Sequence, residues 1–382
     1  MILELEVLGY AAGGNCVARH EGKVIFIRGV IPGETVKVKL NDDEKSKRFT
    51  TATLVEVVTP AAKRVTPPCQ HFGECGGCDW QHISINEQMN MHHNVISDQL
   101  KRIGKFDNLT VLPTQSAKGE TGLGYRNKMR FATTDAGNFA MRKNKSHNLV
   151  EIDSCLIADA QIDAVTKSNW PPAAEVTVVK GSDEVLVLAN REIVPEITYR
   201  NDFGSWQVPA GDFWQVHQQA PVMLIERVLH QLEISQGDRV ADLYSGVGLF
   251  AQPIAKIVGP SGAVFSIEND LRAHRCALAN LHSFDWAEVI QSDVAKYLRK
   301  ATGFNKAIVD PPRSGLNQSV INSLNQIKGL TKICYVSCDA GTLARDLRSF
   351  ADTGWQIGEI QPLLLFPMTA HIETIVSVNK LS

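Results

Sequence analysis

Three cysteines in a glycine-rich stretch are the first residues in the chain whose types and spacing could form a chemically active site. Five residues separate Cys69 from Cys75, and two separate Cys75 from Cys78. Thiolates this close together in a flexible loop can converge on a zinc ion or an iron-sulfur cluster, and either one needs a fourth ligand. We expect a metal centre rather than incidental buried thiols, with an iron-sulfur cubane ahead of zinc. The candidates for the fourth ligand are Cys155, which we prefer, and two histidines, His71 and His82.

A glycine turn between a predicted strand and a predicted helix indicates a nucleotide-like cofactor. The strand Val240–Tyr244 leads into the turn Gly246–Gly248, and the next predicted strand ends in Glu268. Such a turn lets a ligand approach the backbone and the acid can hold ribose hydroxyls, in a dinucleotide site or an S-adenosylmethionine site alike. An S-adenosylmethionine site typically adds an acid at the end of the first strand, here Asp242, and one near the adenine, here Asp293.

The segment Asp310–Arg313 favours S-adenosylmethionine over a nicotinamide cofactor. Its Asp-Pro-Pro-Arg sequence resembles the Asp/Asn-Pro-Pro-aromatic motif of methyltransferases that modify exocyclic amines, but Arg313 replaces the aromatic residue. We therefore predict a methyltransferase whose target is not an amine. A nicotinamide oxidoreductase would explain the glycine turn, but it would leave this segment and Cys338 without a role.

Cys338 and Glu373 suggest which atom is methylated instead. A lone cysteine at a strand end is usually a packing residue, but Cys338 follows the cofactor motifs and precedes a second conspicuous segment, Phe366–Glu373. Carbon 5 of uracil is a poor nucleophile until a thiolate adds to carbon 6 and makes it enolate-like. The hydrogen on carbon 5 must then be removed before the thiolate can leave, and a carboxylate in a dry pocket suits that task. Glu373 is the candidate base.

The elements that must position these residues fall into three zones. Residues 1 to 60 are predicted to form a small closed barrel of short strands, because closure removes exposed edges. The last zone alternates strands and helices, as in a doubly wound parallel sheet whose strand ends share one edge. Between them the pattern is mixed and mostly strand-like, and a helix is predicted from Ser84 to about Gly104, with Ser84 and Glu87 forming a capping box. The strands predicted for the barrel are Leu3–Val7, Lys23–Ile27, Thr35–Leu40 and Thr51–Val55.

Composition excludes several classes of protein. A chain of 382 residues that is 44% apolar can bury two or three cores. Its apolar runs fall short of the roughly 18 to 20 residues that span a bilayer. The first residues, Met1–Glu6, lack the pattern of a signal peptide, so we expect a cytoplasmic protein. Eight cysteines are too sparse for a disulfide scaffold.

The segment from Lys118 to His147 is a local basic stripe, although the formal net charge of the whole chain is -2. Two acids, Glu120 and Asp135, and two aromatic residues, Tyr125 and Phe131, lie within it. Basic and aromatic side chains together are typical of a surface that meets phosphates and unstacked bases, although an ordinary solvated hairpin would look similar. The basic residues of the stripe are Lys118, Arg126, Lys128, Arg130, Arg142, Lys143 and Lys145.

Taken together, these segments resemble the RNA 5-methyluridine methyltransferase family, in particular the iron-sulfur-containing 23S rRNA members that begin with a TRAM domain. The resemblance covers nearly the whole chain. It implies an α/β protein with a C-terminal Rossmann-like class I methyltransferase domain, an N-terminal barrel of oligonucleotide-binding type and a small central α+β iron-sulfur domain. The segments that carry it are Gly13-Gly14, Pro32-Gly33-Glu34, the four cysteines, Phe213-Trp214-Gln215, Asp242–Gly248, Asp310–Arg313, Ser337-Cys338 and His371-Ile372-Glu373.

The same resemblance implies domain bounds and residue roles. The barrel would take residues 1–60, the central domain 61–80 and 113–212, and the methyltransferase domain 81–112 and 213–382. Cys338 would be the nucleophile and Glu373 the base. The positions that would line the cofactor pocket are Gln215, Tyr244, Glu268, Asp293 and Asp310, beside the turn glycines Gly246 and Gly248. The positions that would bind a [4Fe-4S] cluster are Cys69, Cys75, Cys78 and Cys155.

The expected function is S-adenosylmethionine-dependent methylation of uridine carbon 5 in 23S rRNA by a monomer. A tRNA substrate is the main alternative within this class. An RNA-binding protein without catalytic activity would also explain the barrel and the basic stripe. Trp214 stands where family members often carry a smaller residue, so the local shape of the pocket is expected to differ.

Overall fold

A computed structural model describes residues 2–380 except 42–48, 145, 169, 173 and 190–193. Lys145 of the basic stripe therefore lies outside the described residues. No helix in these ranges is both long and apolar enough to cross a membrane.

The first six strands form a small barrel. They are hydrogen-bonded in the order β1-β5-β6-β4-β3-β2. The two edge strands, β1 and β2, follow each other in the chain, and between them the Leu8 amide donates to the Val17 carbonyl of β3 at 2.7 Å. The sheet thus closes on itself, as in an oligonucleotide-binding barrel, which confirms the predicted fold of this zone. The strands are β1 (Ile2–Glu6), β2 (Gly9–Ala11), β3 (Asn15–His20), β4 (Lys23–Ile27), β5 (Thr35–Leu40) and β6 (Phe49–Thr59).

Glu34 fixes the end of the barrel to the segment that follows it. Its carboxylate is fully buried and accepts hydrogen bonds from the Ile31 and Ala61 amides at 2.8 and 3.2 Å. The Arg64 guanidinium completes the set at 2.6 and 2.9 Å. Burial by itself would raise the pKa of Glu34, but Arg64 and the two amides outweigh it and lower the pKa.

Helix α1 (Ile85–Arg102) begins after Ser84, as predicted, but the predicted capping box is wrong. The Ser84 side chain makes no capping hydrogen bond. Glu87 instead accepts from the Tyr10 hydroxyl of the barrel at 2.6 Å and from the Asn90 amide at 2.9 Å. Glu87 therefore pairs with Tyr10, a distant residue in the barrel, instead of with Ser84 at the start of its own helix. Strand β7 (Gln115–Ser116) follows α1 and lies at the edge of the C-terminal sheet.

A five-stranded antiparallel sheet occupies the middle of the chain, in the order β10-β9-β8-β11-β12. It is followed by a two-stranded hairpin whose Trp206 is fully buried against the C-terminal sheet. The elements are β8 (Lys128–Thr133), β9 (Phe139–Arg142), β10 (Leu149–Glu151), α2 (Ala160–Val165), β11 (Glu175–Lys180), β12 (Val185–Ala189), β13 (Glu196–Asn201) and β14 (Gly204–Pro209).

The C-terminal zone is the predicted doubly wound sheet. Its order is β17-β16-β15-β18-β19-β21-β20-β7, and β21 runs antiparallel to both of its neighbours. Apolar clusters cover both faces, and Val95, Ile96 and Leu100 of α1 belong to one of them. The elements are α3 (Ala220–Leu232), β15 (Arg239–Leu243), α4 (Ala251–Val258), β16 (Ala263–Glu268), α5 (Leu271–Leu281), β17 (Ala287–Gln291), α6 (Val294–Leu298), β18 (Lys306–Val309), α7 (Gln318–Gln326), β19 (Lys332–Ser337), α8 (Ala340–Asp352), β20 (Trp355–Leu364) and β21 (Glu373–Lys380).

Replacing Arg64 by Met should destabilise the barrel by about 3 kcal/mol at pH 7, because it leaves the Glu34 carboxylate buried without its cation. Lys37→Met is the matched control, since it breaks the exposed Lys37–Glu56 pair and should lower the stability much less than Arg64→Met does. The native pKa of Glu34 is lowered, so its contribution is complete above the ordinary carboxyl pKa and is lost as the pH falls. Urea unfolding at pH 7 and pH 4 measures the loss of stability in each variant and its dependence on pH. Equal losses in the free energy of unfolding for the two variants would contradict a stabilising role for the Arg64–Glu34 pair.

Candidate active site

Cys338 and Glu373 lie opposite each other at the edge of the sheet. In the antiparallel pair β19 and β21, Ser337 is opposite Thr374. Continuing that register by one residue places Cys338 opposite Glu373. The charge of Glu373 raises the pKa of Cys338, which also indicates that the two side chains are neighbours. The fold therefore brings together the two residues that the sequence predicts as nucleophile and base.

A cavity of about 770 Å³ opens at this edge. It lies at the carboxyl ends of the parallel strands, where such sheets bind ligands. Seven of the predicted site residues share its lining, so the fold assembles most of the predicted site in one place. These residues are Gln215, Tyr244, Gly246, Glu268, Asp310, Cys338 and Glu373.

The glycine turn holds the predicted ribose acid at the mouth of the cavity. The Gly246 amide donates to Glu268 at 2.9 Å, and the Asp270 amide donates to the other carboxylate oxygen at 2.6 Å. Gly246 has a φ of +54°, which glycine adopts without strain. Tyr244, just before the turn, has a φ of +64°, an unusual value for a bulky residue and one that clusters at functional sites.

Three predicted cofactor residues, Asp242, Gly248 and Asp293, lie outside this lining. Gly248 adopts a φ of +87°, and its carbonyl accepts from the Trp206 indole at 3.0 Å. Asp293 caps α6, with its carboxylate accepting from the Lys296 amide at 2.9 Å. Gly248 thus contributes to the shape of the turn through its backbone. The role of Asp293 in binding a cofactor stays a prediction.

Asp242 is a buried acid beneath the turn. Neither carboxylate oxygen has a hydrogen-bond partner of ordinary geometry among the described residues. Burial raises the pKa of Asp242 well above its usual value, and the charges of Asp310 and Glu268 add to this, while the Ala251 amide opposes it. A buried carboxyl group without a partner is suited to a cationic group on a ligand.

Burial and neighbouring acids raise the pKa values of Cys338 and Glu373. Burial, then the charges of Glu373 and Asp310, raise the pKa of Cys338 to about 11, against an opposing effect of Arg313. Burial and Asp310 raise the pKa of Glu373 well above its usual value, and burial raises that of Asp310 to about 7. The charges of the protein itself therefore favour the neutral thiol, and a cationic ligand in the cavity would favour the thiolate.

Several residues of the cavity were not predicted as site residues. Phe366 and His371 line it, and a ring-to-ring distance of 5.8 Å separates them. The Arg313 guanidinium lies 3.3 Å from the His371 ring nitrogen Nδ1. Phe213, which is 76% exposed, stands at the rim. The only signal for these positions in the sequence is their presence within motifs already noted, because their roles depend on the folded loop.

The four predicted cysteine ligands line a second cavity, of about 160 Å³. His71 also lines it, but its ring nitrogen lies 3.3 Å from Asp153. His82 is not in the lining and packs behind it, with its ring 5.6 Å from that of Phe72, which is in the lining. Among the described residues, no group of three or more His, Cys, Asp or Glu side chains is placed to hold a single metal ion. The metal centre thus stays a prediction. The cysteines are Cys69, Cys75, Cys78 and Cys155, and the apolar walls are formed by Met129, Met141, Ile152 and Ile157.

Part of the basic stripe adjoins this second cavity, since Arg126 and Arg130 line it. Arg126 lines both the cysteine cavity and the active-site cavity, and so lies between them. Arg130, Arg142 and Lys143 line a separate open groove next to the cysteine loop. The stripe is thus continuous with the site, and its contact with RNA stays a prediction.

Comparison with known proteins identifies the family. The family model described as tRNA (Uracil-5-)-methyltransferase matches residues 173–381, more than half of the chain. The chain belongs to the RNA uracil-C5 methyltransferase family. As a member of it, the protein is an enzyme that uses S-adenosylmethionine to methylate carbon 5 of uracil in RNA, as the sequence predicts.

Relatives and a solved structure agree with this assignment. An uncharacterized RNA methyltransferase of Streptomyces coelicolor is 34% identical over 97% of this chain and 91% of its own length. A 23S rRNA (uracil(1939)-C(5))-methyltransferase of Pectobacterium atrosepticum is 28% identical over 95% of this chain and 90% of its own. A tRNA (uracil-54, C5)-methyltransferase of Pyrococcus abyssi, solved with S-adenosyl-L-homocysteine, has a TM-score of 0.73 at 23% identity over 98% of this chain and 99% of that one. The last comparison confirms the fold.

Alkylation of Cys338 in the uracil-C5 methyltransferase should keep accelerating up to about pH 11, because its pKa is raised to about 11. Asp310→Asn should move this titration to lower pH by removing one of the charges that raise the pKa. Asp293→Asn, outside the lining, is the matched control and should leave the titration in place. Iodoacetamide labelling followed by peptide mass spectrometry measures the rates. A midpoint near the ordinary thiol value of about 8.5 would contradict this electrostatic account.

Proposed function

We propose that this enzyme methylates carbon 5 of a uridine in 23S ribosomal RNA, with Cys338 as the nucleophile and Glu373 as the base. The observation that carries the catalytic roles is that these two residues, one directly after β19 and the other at the start of the neighbouring β21, line one cavity. The choice of 23S rRNA rests on relatives of that name, which match almost the whole chain, including the barrel and the cysteine loop.

A tRNA substrate is the second candidate. It is supported by the description of the matching family model and by the likeness to the Pyrococcus abyssi enzyme. That likeness is at 23% identity, so it informs on the fold rather than the substrate. The near full-length relatives named for 23S rRNA therefore weigh more.

The proposed reaction begins at carbon 6 of the uracil ring. The Cys338 thiolate forms a bond to carbon 6, and the electrons of the ring double bond move toward carbon 5 and the neighbouring carbonyl. S-adenosylmethionine, when bound, would supply a methyl group activated by a sulfonium charge: carbon 5 would take the methyl group, and the electrons of the broken sulfur–methyl bond would stay on the sulfur of the departing S-adenosylhomocysteine. Carbon 5 then carries both a methyl group and its original hydrogen.

Glu373 completes the reaction in this scheme. Its carboxylate takes the proton from carbon 5, the electrons of that bond restore the double bond to carbon 6, and the Cys338 thiolate leaves. A raised pKa suits this step, because it makes the carboxylate a stronger base than an exposed glutamate. Burial also keeps competing water away from the covalent intermediate.

We propose that the cofactor lies along the glycine turn. Glu268, tethered at the mouth, is placed to exchange its backbone partners for ribose hydroxyls. Asp242 offers a buried carboxyl group without a partner for a cationic group at the amino-acid end. Gln215, Tyr244 and Asp310 complete the lining. We propose, as the sequence predicts, that Asp293 lies near the adenine of the bound cofactor.

We propose that the four cysteines bind a [4Fe-4S] cluster. Thiolates are the ligands of such clusters, and here the four line a cavity rather than converge on one point. That arrangement suits a polynuclear cluster better than one tetrahedral zinc ion, whose sulfur ligands all lie about 2.3 Å from the metal. The proposed role is structural or RNA-positioning, because neither methyl transfer nor elimination moves an electron.

We also propose that the barrel acts as a TRAM domain and that the enzyme works as a monomer in the cytoplasm. The strand order of the barrel supports the first point. A barrel of this type presents a face that binds oligonucleotides.

The function is tested by nucleoside mass spectrometry on 23S rRNA and tRNA purified separately from cells with and without the gene. The proposal expects one 5-methyluridine to disappear from a mapped fragment of 23S rRNA. Wild-type enzyme should restore it and Cys338→Ala should not, because no thiolate can add to carbon 6. Loss from tRNA instead would reassign the substrate, and loss from neither would contradict the proposed function.

Replacing Cys75 by Ser should remove bound iron and its visible absorbance from anaerobically purified enzyme. RNA affinity or stability should fall, while the rate of methyl transfer at saturating RNA changes little, because the cluster is not part of the chemistry. Cys276→Ser is the matched control, since Cys276 is buried in α5, away from the cysteine cavity. A selective loss of the chemical step in Cys75→Ser would contradict a structural role.

A further inference from the structure

The loop between β20 and β21 makes a tight turn just before the base. Thr369 closes it, because both its amide and its hydroxyl donate to the Phe366 carbonyl, at 3.2 and 2.8 Å. Within the turn, Met368 has a φ of +65°, in the left-handed region that side chains disfavour. Such a conformation persists only where the surroundings hold it. Glu373 follows within the same short segment, so whatever holds Met368 also limits where the base can lie.

Gln88, on α1, is one of the groups that hold this turn. Its side chain is fully buried, and its carbonyl oxygen accepts from the Met368 amide at 2.8 Å. Its side-chain nitrogen donates to the Ile83 and Trp80 carbonyls at 2.9 and 3.2 Å. A single amide thus joins the segment after the cysteine loop to the turn before the base.

The backbone next to Cys78 holds the same turn from the other side. The amides of Asp79 and Trp80 both donate to the Met368 carbonyl, at 2.8 and 3.0 Å. The Asp79 carboxylate accepts from the Ala370 amide at 3.1 Å. Both backbone polar groups of Met368 therefore have buried partners, which offsets the strain of its left-handed conformation.

We propose that Gln88 is a positioning residue for the elimination step. It does not line the active-site cavity, so it can act only through the turn that leads to Glu373. Cys338 follows β19 in the centre of the sheet, whereas the side-chain hydrogen bonds of Gln88 go to Trp80, Ile83 and Met368. Addition to carbon 6 and methyl transfer are therefore less dependent on Gln88 than proton removal is. The inference rests on the proposed roles of Cys338 and Glu373.

Elimination gives this inference a distinctive readout. Before it, the RNA is bonded through carbon 6 to the Cys338 sulfur, and carbon 5 carries the new methyl group and one hydrogen. The step breaks the carbon–hydrogen bond, passes the proton to Glu373 and uses the electron pair to release the thiolate. A displaced base therefore leaves a methylated covalent adduct that persists, whereas general destabilisation slows every step together.

The test compares Gln88→Met with wild type in a single turnover. Met keeps the length of the side chain and removes its hydrogen bonds. We expect methyl transfer within about twofold of wild type and adduct decay about 10- to 100-fold slower, the effect of a base displaced by about 1 Å. Gln99→Met on the same helix is the matched control, because that amide donates to Asp98 at the surface. Radiolabelled methyl transfer and adduct retained on denaturing gels measure the two rates.

Glu373→Gln separates the two proposals. If it accumulates no adduct, the base has been assigned wrongly and the proposed mechanism fails before Gln88 is in question. If Glu373→Gln accumulates adduct, the outcome for Gln88→Met decides the positioning inference. The inference is overturned if the adduct of Gln88→Met decays at the wild-type rate, or if methyl transfer and adduct decay slow by the same factor in that variant.

Met368→Gly covers the case in which Gln88→Met does not fold. Glycine relieves the strain of the left-handed backbone, which offsets part of the loss of the buried Met368 side chain, and the turn becomes looser. Both rates are measured below the melting temperature of this variant. The inference then expects the same selective slowing of adduct decay. Wild-type decay, or an equal loss of both rates, in this variant would overturn the inference by itself.

Discussion

The antiparallel return of β21 between β19 and β20 is the constraint on which the proposed site depends. In a parallel sheet only the last residue of each strand reaches the ligand edge, so every group there follows a strand. One reversed strand brings its first residue to that edge instead. Glu373 therefore arrives opposite Cys338, although the rest of the sheet supplies groups such as Asp310 from strand ends.

The meeting of these residues at one edge of the sheet also affects their protonation. Cys338 and Glu373 have raised pKa values because burial and neighbouring acids disfavour a further negative charge, and burial alone raises the pKa of Asp310. A raised pKa favours the protonated, unreactive form of Cys338, the proposed nucleophile, until a positive charge enters. The sulfonium of the cofactor would supply that charge, which links formation of the thiolate to cofactor binding.

Local patterns in the sequence predicted the fold well. The alternation of strands and helices and the glycine turn identified the doubly wound sheet, because both are local signals. The capping box was wrong since Glu87 has a partner, Tyr10, in another unit of the fold. Gln88 gave no signal at all, because the amide it holds lies 280 residues further along the chain. Strand β3 was missed since its buried residues, Cys16 and Ala18, are small and make a weak alternation.

The central claim is that the Cys338 sulfur bonds to carbon 6 of the target uridine. RNA carrying 5-fluorouridine tests it most directly, because fluorine cannot leave carbon 5 as a cation and the adduct cannot eliminate. The account predicts that, with S-adenosylmethionine present, nuclease and protease digestion yields a peptide containing Cys338 that carries a methylated, fluorinated nucleotide. Attachment to another residue, or RNA that is bound and methylated without any covalent adduct, would contradict it.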